Sequence, residues 1–195
     1  MKVQIIIGST RPGRQTDKLA KWVAKEATKN TDLEIELLDL QDYKLPLFDE
    51  ATSPQYNPNR GPNPVAKKWL EKLVEADGFI LITPEYNRST SGVLKNALDY
   101  IDFQFQRKPV LLVAHGSSGG GQAVGHLRGI VPGLLAVTVP NAVYFKDRVA
   151  DSVNEAGELA EELQANPQGP ENALKSALNE LAWYVAALAA ARKNS

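Results

Sequence analysis

Short runs of apolar residues alternate along the chain with longer segments in which apolar positions repeat every three or four residues. This alternation is typical of a parallel β-sheet whose strands are connected by helices that cover both faces. We therefore predict an α/β fold. The five predicted strands are residues 3–7, 33–38, 79–82, 110–114 and 135–139.

Helices are predicted where apolar residues keep helical spacing between these strands. The most regular one starts near Glu171 and carries Leu174, Leu178, Leu181, Val185 and Leu188. Further helices are predicted after the first strand, over residues 64–76, and over residues 94–105 after the third strand.

Two segments interrupt the alternation. Residues 41–63 contain four prolines among Asn, Ser and Asp, which predicts a long loop that serves as a lid or an interface arm. Residues 147–170 are acidic and are expected to form a solvated helix or excursion before the last helix.

The composition limits the classes of function. A chain of 195 residues is expected to form a single domain over residues 1–195. A net charge of −1 argues against nucleic acid or an acidic membrane as a partner. The chain has no cysteine, so thiol chemistry is excluded and redox chemistry would need a cofactor. The apolar stretches at 1–7 and 181–191 are too short for a signal core or a membrane span, so we expect a cytoplasmic protein.

The loop after the first strand has the composition of an anion site. Ser9, Thr10 and Thr16 offer hydroxyl groups, and Arg11 and Arg14 offer guanidinium groups, beside a predicted helix N-terminus. The alternative is a polar turn capped by Thr16 or Asp17. A Walker loop is disfavoured because Arg14 and Gln15 stand where lysine and a hydroxyl residue are needed, and Thr10 disrupts the dinucleotide fingerprint.

Two further polar turns follow the third and fourth strands. Pro84, Glu85, Tyr86 and Asn87 combine a stiff backbone with a ring and an amide, which suits a flat heteroaromatic ligand. The run from His115 to Gln122 contains four glycines, which permit close approach of backbone N–H donors to a ligand. Taken singly, each could be an ordinary turn, but three such turns at one sheet edge predict a ligand site. The two histidines show no metal-ligand spacing, so we predict no metal site, and His126 is expected on a helix surface or interface.

These motifs resemble the NAD(P)H-dependent FMN reductases of flavodoxin-like fold, which include quinone, azo-dye and chromate reductases. The resemblance rests on the segments 8–14, 84–99 and 116–121 and spans almost the whole chain. It implies a three-layer sandwich with strand order 2-1-3-4-5. It also implies that Ser9, Arg11, Gln15 and Thr16 hold the FMN phosphate with Arg14 nearby. In the same way it places the isoalloxazine ring on Pro84, Glu85, Tyr86 and Asn87, flanked by Gly116, Ser117 and Gly119.

The chain departs from the usual family pattern at two positions. Ser91 replaces a frequent proline, which is expected to loosen the turn into the helix, and Arg88 either touches nucleotide phosphates or faces solvent. The family also implies a homodimer or homotetramer, with Tyr100, Phe103 and Phe105 either at the subunit contact or in the core.

The resulting hypothesis is a ping-pong oxidoreductase that passes hydride from NAD(P)H through FMN to a small-molecule acceptor: a quinone, free flavin, azo compound or metal oxyanion. No side chain is required as an acid or base, so no catalytic residue is predicted. The rival hypothesis is a flavodoxin-type electron carrier, although such carriers tend to be strongly acidic. A phosphohydrolase with a Walker-like loop is a more distant alternative.

Overall fold

The structure, a computed structural model, describes residues 1–146 and 148–194. Its sheet contains five parallel strands in the spatial order β2-β1-β3-β4-β5. The strands are β1 (Lys2–Ile7), β2 (Glu34–Asp39), β3 (Gly78–Pro84), β4 (Pro109–His115) and β5 (Val137–Phe145). This order confirms the predicted flavodoxin-like fold.

Helices cover both faces of the sheet. They are α1 (Thr16–Asn30), α2 (Pro64–Val74), α3 (Gly92–Asp99), α4 (Gly121–Ile130), α5 (Val149–Ser152), α6 (Glu161–Gln164) and α7 (Pro170–Lys193). Successive residues of a strand point to opposite faces. Accordingly, Phe79 and Leu81 pack with α2, α3 and α4, whereas Ile80 and Ile82 pack with α1 and α7. The result is three layers with one apolar core on each side of the sheet.

The fifth strand lies later in the chain than predicted. We expected it at residues 135–139, but Leu135 has a φ of 60° and follows a 3₁₀ turn, Val131–Leu134. The strand begins at Val137, and its pairing with β4 is shifted by an irregularity between Val110 and Leu112. As an edge strand with one exposed face, β5 lacks the continuous apolar run that marks the buried strands.

The helix after β3 is shorter than predicted, because α3 ends at Asp99 and not at Phe105. Phe105 stacks on Phe79 with ring centroids 3.8 Å apart, and Tyr100 is buried with its hydroxyl donating to Pro46 O at 3.2 Å. Phe103 stays 40% exposed. Of the three aromatics considered for a subunit contact, two therefore belong to the core.

The long loop over residues 41–63 is ordered by side-chain contacts. Its only regular pieces are two 3₁₀ turns, Leu40–Asp42 and Pro54–Tyr56. The buried guanidinium of Arg60 pairs with Glu50 at 2.6 Å and with Asp102 at 2.8 Å. These ion pairs hold the loop against the segment that follows α3.

The acidic segment is an excursion that contains two one-turn helices, α5 and α6. Its first residue, Asp147, lies outside the described residues. Ion pairs of Lys18 with Glu155 at 2.8 Å and of Lys25 with Glu158 at 3.4 Å dock the segment on α1. Across the described part of the chain, none of the helices has the length and hydropathy to span a bilayer.

Candidate functional site

Three loops meet at the carboxyl edge of the sheet. They are the first loop (8–15) after β1, the tyrosine turn (85–91) after β3 and the glycine turn (116–120) after β4. Because β1, β3 and β4 are neighbours in the sheet, the loops are neighbours too. The chain order reverses between β1 and β3, which is where open α/β sheets bind ligands.

The first loop leads into an open helix end. Gly8 N donates to Ile82 O at 2.8 Å, and a Cβ on Gly8 would lie only 2.5 Å from that oxygen, so glycine is required at this close approach. Helix α1 starts at Thr16 with Gln15 as its N-cap residue, and no side-chain hydrogen bond caps its first turn. Neither Thr16 nor Asp17 is the N-cap residue, so the capping considered for them is wrong, while the anion site itself stays a prediction. The open N-terminus is suited to an anion.

The two arginines of the first loop have different partners. Arg14 forms a bidentate ion pair with the Asp39 carboxylate and also donates to Ser9 O. The hydrogen-bonded Asp39 carboxylate raises the pKa of Arg14. Arg11 is exposed and its guanidinium lies 5.5 Å from the centre of the Tyr86 ring. Arg14 thus fixes the shape of the loop, whereas Arg11 is available for a ligand.

The tyrosine turn is tight and stiff. Tyr86 N donates to Ser89 O at 2.9 Å and Ser89 N donates to Tyr86 O at 3.0 Å, while Asn87 and Arg88 between them have φ values of 48° and 66°. The Tyr86 hydroxyl lies 3.2 Å from Ser9 Oγ, which connects the turn to the first loop. Pro84 is buried at the end of β3.

Ser91 does not loosen the entry into α3. It is buried, caps the helix by accepting from Leu94 N at 3.2 Å, and donates its hydroxyl proton to Gly8 O. The side chain therefore caps the helix and fastens the first loop at the same time, which a proline could not do.

The glycine turn is fixed by the residue that follows Pro84. The Glu85 carboxylate accepts from Gln122 N at 2.9 Å and from Ala123 N at 3.3 Å, and so lies at the N-terminus of α4. Gly120, the N-cap, has a φ of 79°, and a Cβ there would lie 2.5 Å from the Ala114 Cβ. The turn leaves Ser117 exposed. The Glu85 side chain therefore positions α4, and its predicted place at the ring stays a prediction.

The remaining predicted glycines shape the same turn. Gly119 N donates to Gly116 O at 2.9 Å, and Gly119 has a φ of 83°. Gly116 lies against Glu85, because a Cβ on Gly116 would come 3.0 Å from the Glu85 Cβ.

Two residues outside the predicted set complete the site. His115 Nε2 lies 2.9 Å from Thr16 Oγ1, and burial lowers the pKa of His115 to about 4. Asp39 holds Arg14 as described above. Both residues are the last of their strands, at the sheet edge that carries the ligand loops, and that position was the available signal.

The site fits a phosphate-bearing aromatic cofactor better than a metal ion. The uncapped N-terminus of α1 and the exposed Arg11 guanidinium suit a phosphate. The buried Gln15 Oε1 has no hydrogen-bond partner among the described residues and, as an acceptor, suits a hydroxyl donor of the ligand. Gln15 Nε2 donates to Gly13 O at 3.1 Å. No group of three or more His, Asp or Glu side chains placed to hold a metal occurs among residues 1–146 and 148–194.

The fold defines a flavodoxin-like α/β protein, and the three loops form a candidate ligand site at the switch point of the sheet. The profile of the NADPH-dependent FMN reductase family matches residues 1–150. The chain belongs to this family. The predicted assignment to an oxidoreductase family that uses FMN and NAD(P)H is thereby confirmed.

Individual relatives agree with this assignment. An NAD(P)H-dependent FMN reductase of Schizosaccharomyces pombe is 30% identical over 185 residues, which are 86% of this chain and 92% of the relative. An FMN-dependent NADPH-azoreductase of Staphylococcus aureus is 39% identical over 152 residues, which are 75% of this chain and 78% of the relative.

Solved structures support the fold. FerB, a flavoenzyme NAD(P)H:(acceptor) oxidoreductase of Paracoccus denitrificans, superposes with a TM-score of 0.74 at 22% identity, covering 95% of this chain and 97% of FerB. A Streptococcus pneumoniae flavodoxin superposes with a TM-score of 0.57 at 15% identity, covering 94% of this chain and 99% of the flavodoxin.

Proposed function

We propose that this protein is an FMN-dependent NAD(P)H oxidoreductase that reduces a small aromatic or oxyanionic acceptor by a ping-pong mechanism. The observation that carries the proposal is the network of hydrogen bonds that joins the first loop, the tyrosine turn and the glycine turn around an open helix N-terminus. Family membership supplies the identity of the cofactor.

The phosphate of FMN would be held by the first loop. Ser9, Arg11, Gln15 and Thr16 place two hydroxyls, a guanidinium and an amide beside the uncapped first turn of α1. Arg14 acts indirectly, since its guanidinium is already paired with Asp39 and the carbonyl of Ser9. Its role is to keep the loop open to the anion.

The isoalloxazine ring would rest on residues 84–87. The stiff turn presents the Tyr86 ring and the exposed Asn87 amide, and the glycine turn offers backbone donors around Gly116, Ser117 and Gly119. When bound, FMN supplies the chemistry of accepting and releasing hydride. The chain's own groups bind and orient the reactants and stabilise negative charge, so no side chain is assigned as an acid or base.

The acceptor is proposed from the family and its relatives. NAD(P)H and the acceptor bind one after the other on the open side of the tyrosine turn. The acceptor is a quinone, a free flavin, an azo compound or a metal oxyanion. The azoreductase activity in the name of the Staphylococcus aureus relative supports an aromatic acceptor.

Turnover separates this proposal from an electron carrier of the flavodoxin type. The purified chain is titrated with FMN by flavin fluorescence, and NADPH and NADH oxidation is then followed with a quinone, an azo dye and chromate. FMN binding with turnover supports the reductase, and FMN binding without turnover with any donor and acceptor supports the carrier. A chain that neither contains nor takes up FMN contradicts both.

We further propose a cytoplasmic homodimer or homotetramer in which each chain is a single FMN-binding domain. A groove of about 650 Å³ between α3 and α4, lined by small residues such as Gly125 and Gly129, is open to a second copy. The exposed Val93 on α3 and the exposed Phe103 in the segment after α3 add apolar surface. Sedimentation of the wild type and of F103D tests this, with dissociation of the variant expected.

A further inference from the structure

The tip of the tyrosine turn contains a backbone conformation that its sequence does not favour. Asn87 and Arg88 are the two central residues of a turn closed by both hydrogen bonds between Tyr86 and Ser89. Both have positive φ, at 48° and 66°. Asparagine tolerates this conformation, but the second position of such a turn is usually glycine. An arginine there carries strain, and strained residues concentrate at functional sites.

The Arg88 guanidinium has no partner among the described residues that would explain its position. It is exposed, and within residues 1–146 and 148–194 it makes no hydrogen bond, ion pair or ring contact. The neighbouring carboxylate of Glu85 is occupied by the backbone N–H groups at the start of α4. Substrate binding would account for both the strain and the unpaired charge.

The location of Arg88 indicates what it would bind. Arg11 lies over the Tyr86 ring beside the open end of α1, where we place the FMN phosphate. Arg88 follows Asn87 at the exposed tip of the turn. It therefore places a cation next to the proposed ring surface, besides the arginines of the first loop. A guanidinium suits phosphate, sulfonate and carboxylate groups because it can donate two parallel hydrogen bonds.

We propose that Arg88 binds an oxyanion of a substrate as that substrate lies against the cofactor site. The inference rests on the proposed function, and it names a substrate-binding residue that the sequence left open. Two substrates could supply the anion: NAD(P)H through its phosphates, or an acceptor that carries a sulfonate or carboxylate.

The test uses the full-length FMN-loaded protein with R88G, R88K and the control K29Q. Lys29 is exposed in the last turn of α1, at the end of the helix opposite to the site, so K29Q removes a positive charge far from the site. KM and kcat are measured with NADPH and NADH, and with a sulfonated azo dye compared with a neutral quinone. We expect R88G to raise KM for an anionic substrate about tenfold with a smaller effect on kcat. R88K should give an intermediate value, and K29Q should match the wild type.

The pattern across substrates identifies the anion. An effect on NADPH alone assigns the 2′-phosphate, an equal effect on NADPH and NADH assigns the pyrophosphate, and an effect confined to the sulfonated dye assigns the acceptor. R88G should also unfold at a higher temperature than the wild type, because glycine relieves the positive φ.

Unchanged KM values for NADPH, NADH and the sulfonated dye in R88G overturn the inference, whatever happens to the melting temperature. This failure is distinct from failure of the proposed function, which would already appear as absent FMN binding or absent turnover in the wild type.

Discussion

His115 Nε2 lies 2.9 Å from Thr16 Oγ1, so the last residue of β4 and the first residue of α1 are joined across 99 positions of sequence. Burial lowers the pKa of His115 to about 4, which keeps the imidazole neutral near pH 7. The neutral ring holds the Thr16 hydroxyl at the start of the proposed phosphate site and connects it to the glycine turn.

This relationship predicts a loss of stability in weak acid. The pKa of His115 is lower in the folded protein than its ordinary value of 6.5, so the unfolded chain binds the proton more strongly. The stabilisation is present above pH 6.5 and falls as the pH drops towards 4, by up to about 3 kcal/mol. Urea unfolding of the wild type and H115Q between pH 7 and pH 4 measures it. The difference in the free energy of unfolding between the wild type and H115Q should change with pH. A difference that stays constant from pH 7 to pH 4 would contradict the role of His115.

Tyr86 is predicted to contribute to FMN affinity mainly through its ring. Y86A should weaken FMN binding about tenfold or more, because an aromatic contact surface is lost. Y86F removes only the hydroxyl contact with Ser9 and should weaken binding by less than about fivefold. Fluorescence titration with FMN measures both. Y56A is the matched control, since Tyr56 is 87% exposed on the long loop, and an equal effect of Y56A and Y86A would exclude the ring site.

Glu85 is predicted to stabilise α4 by capping it from another loop. E85A should lower the free energy of unfolding by about 1–2 kcal/mol, because two backbone N–H groups lose their acceptor. E85Q should lose less, since an amide oxygen still accepts but the favourable charge at the helix N-terminus is gone. Thermal unfolding measures the losses, with E71Q on the exposed face of α2 as control. Equal stability of E85A and the wild type would refute the capping role.

The Arg14–Asp39 pair is predicted to preorganise the first loop. D39A should weaken FMN binding several-fold and lower stability by about 1–2 kcal/mol, because Arg14 loses its two-pronged partner. R14K should not substitute for arginine, since lysine cannot donate two parallel hydrogen bonds. Calorimetric titration with FMN measures the affinity. D32N, which changes an exposed aspartate between α1 and β2, serves as control, and D39A with wild-type affinity would contradict the role of the pair.

The sequence predicted the buried part of the fold well because β1, β3 and β4 are covered on both faces and therefore read as continuous apolar runs. It misplaced β5, whose exposed face and register shift break that signal. The α3 boundary was missed because Tyr100 and Phe105 keep apolar character after the helix has ended.

The position of the candidate site was predictable from the sequence, but the hydrogen bonds between its loops were not. Polar turns after three strands indicated the edge of the sheet at which a ligand would bind. The links of Thr16 to His115 and of Glu85 to Gln122 depend on loop geometry between distant positions, which periodicity and spacing do not encode. The same applies to Ser91, whose contact with Gly8 O only the folded chain reveals.

In the proposed ping-pong mechanism, these three loops would hold FMN, which would supply the chemistry of accepting hydride from NAD(P)H before any acceptor binds. The most direct measurement is anaerobic mixing of the FMN-loaded protein with one equivalent of NADPH, without acceptor, while the yellow flavin absorbance is followed. We expect bleaching in the absence of acceptor and recovery of the colour when a quinone is added. Absorbance that persists until NADPH and quinone are both present, or that never changes, would contradict it.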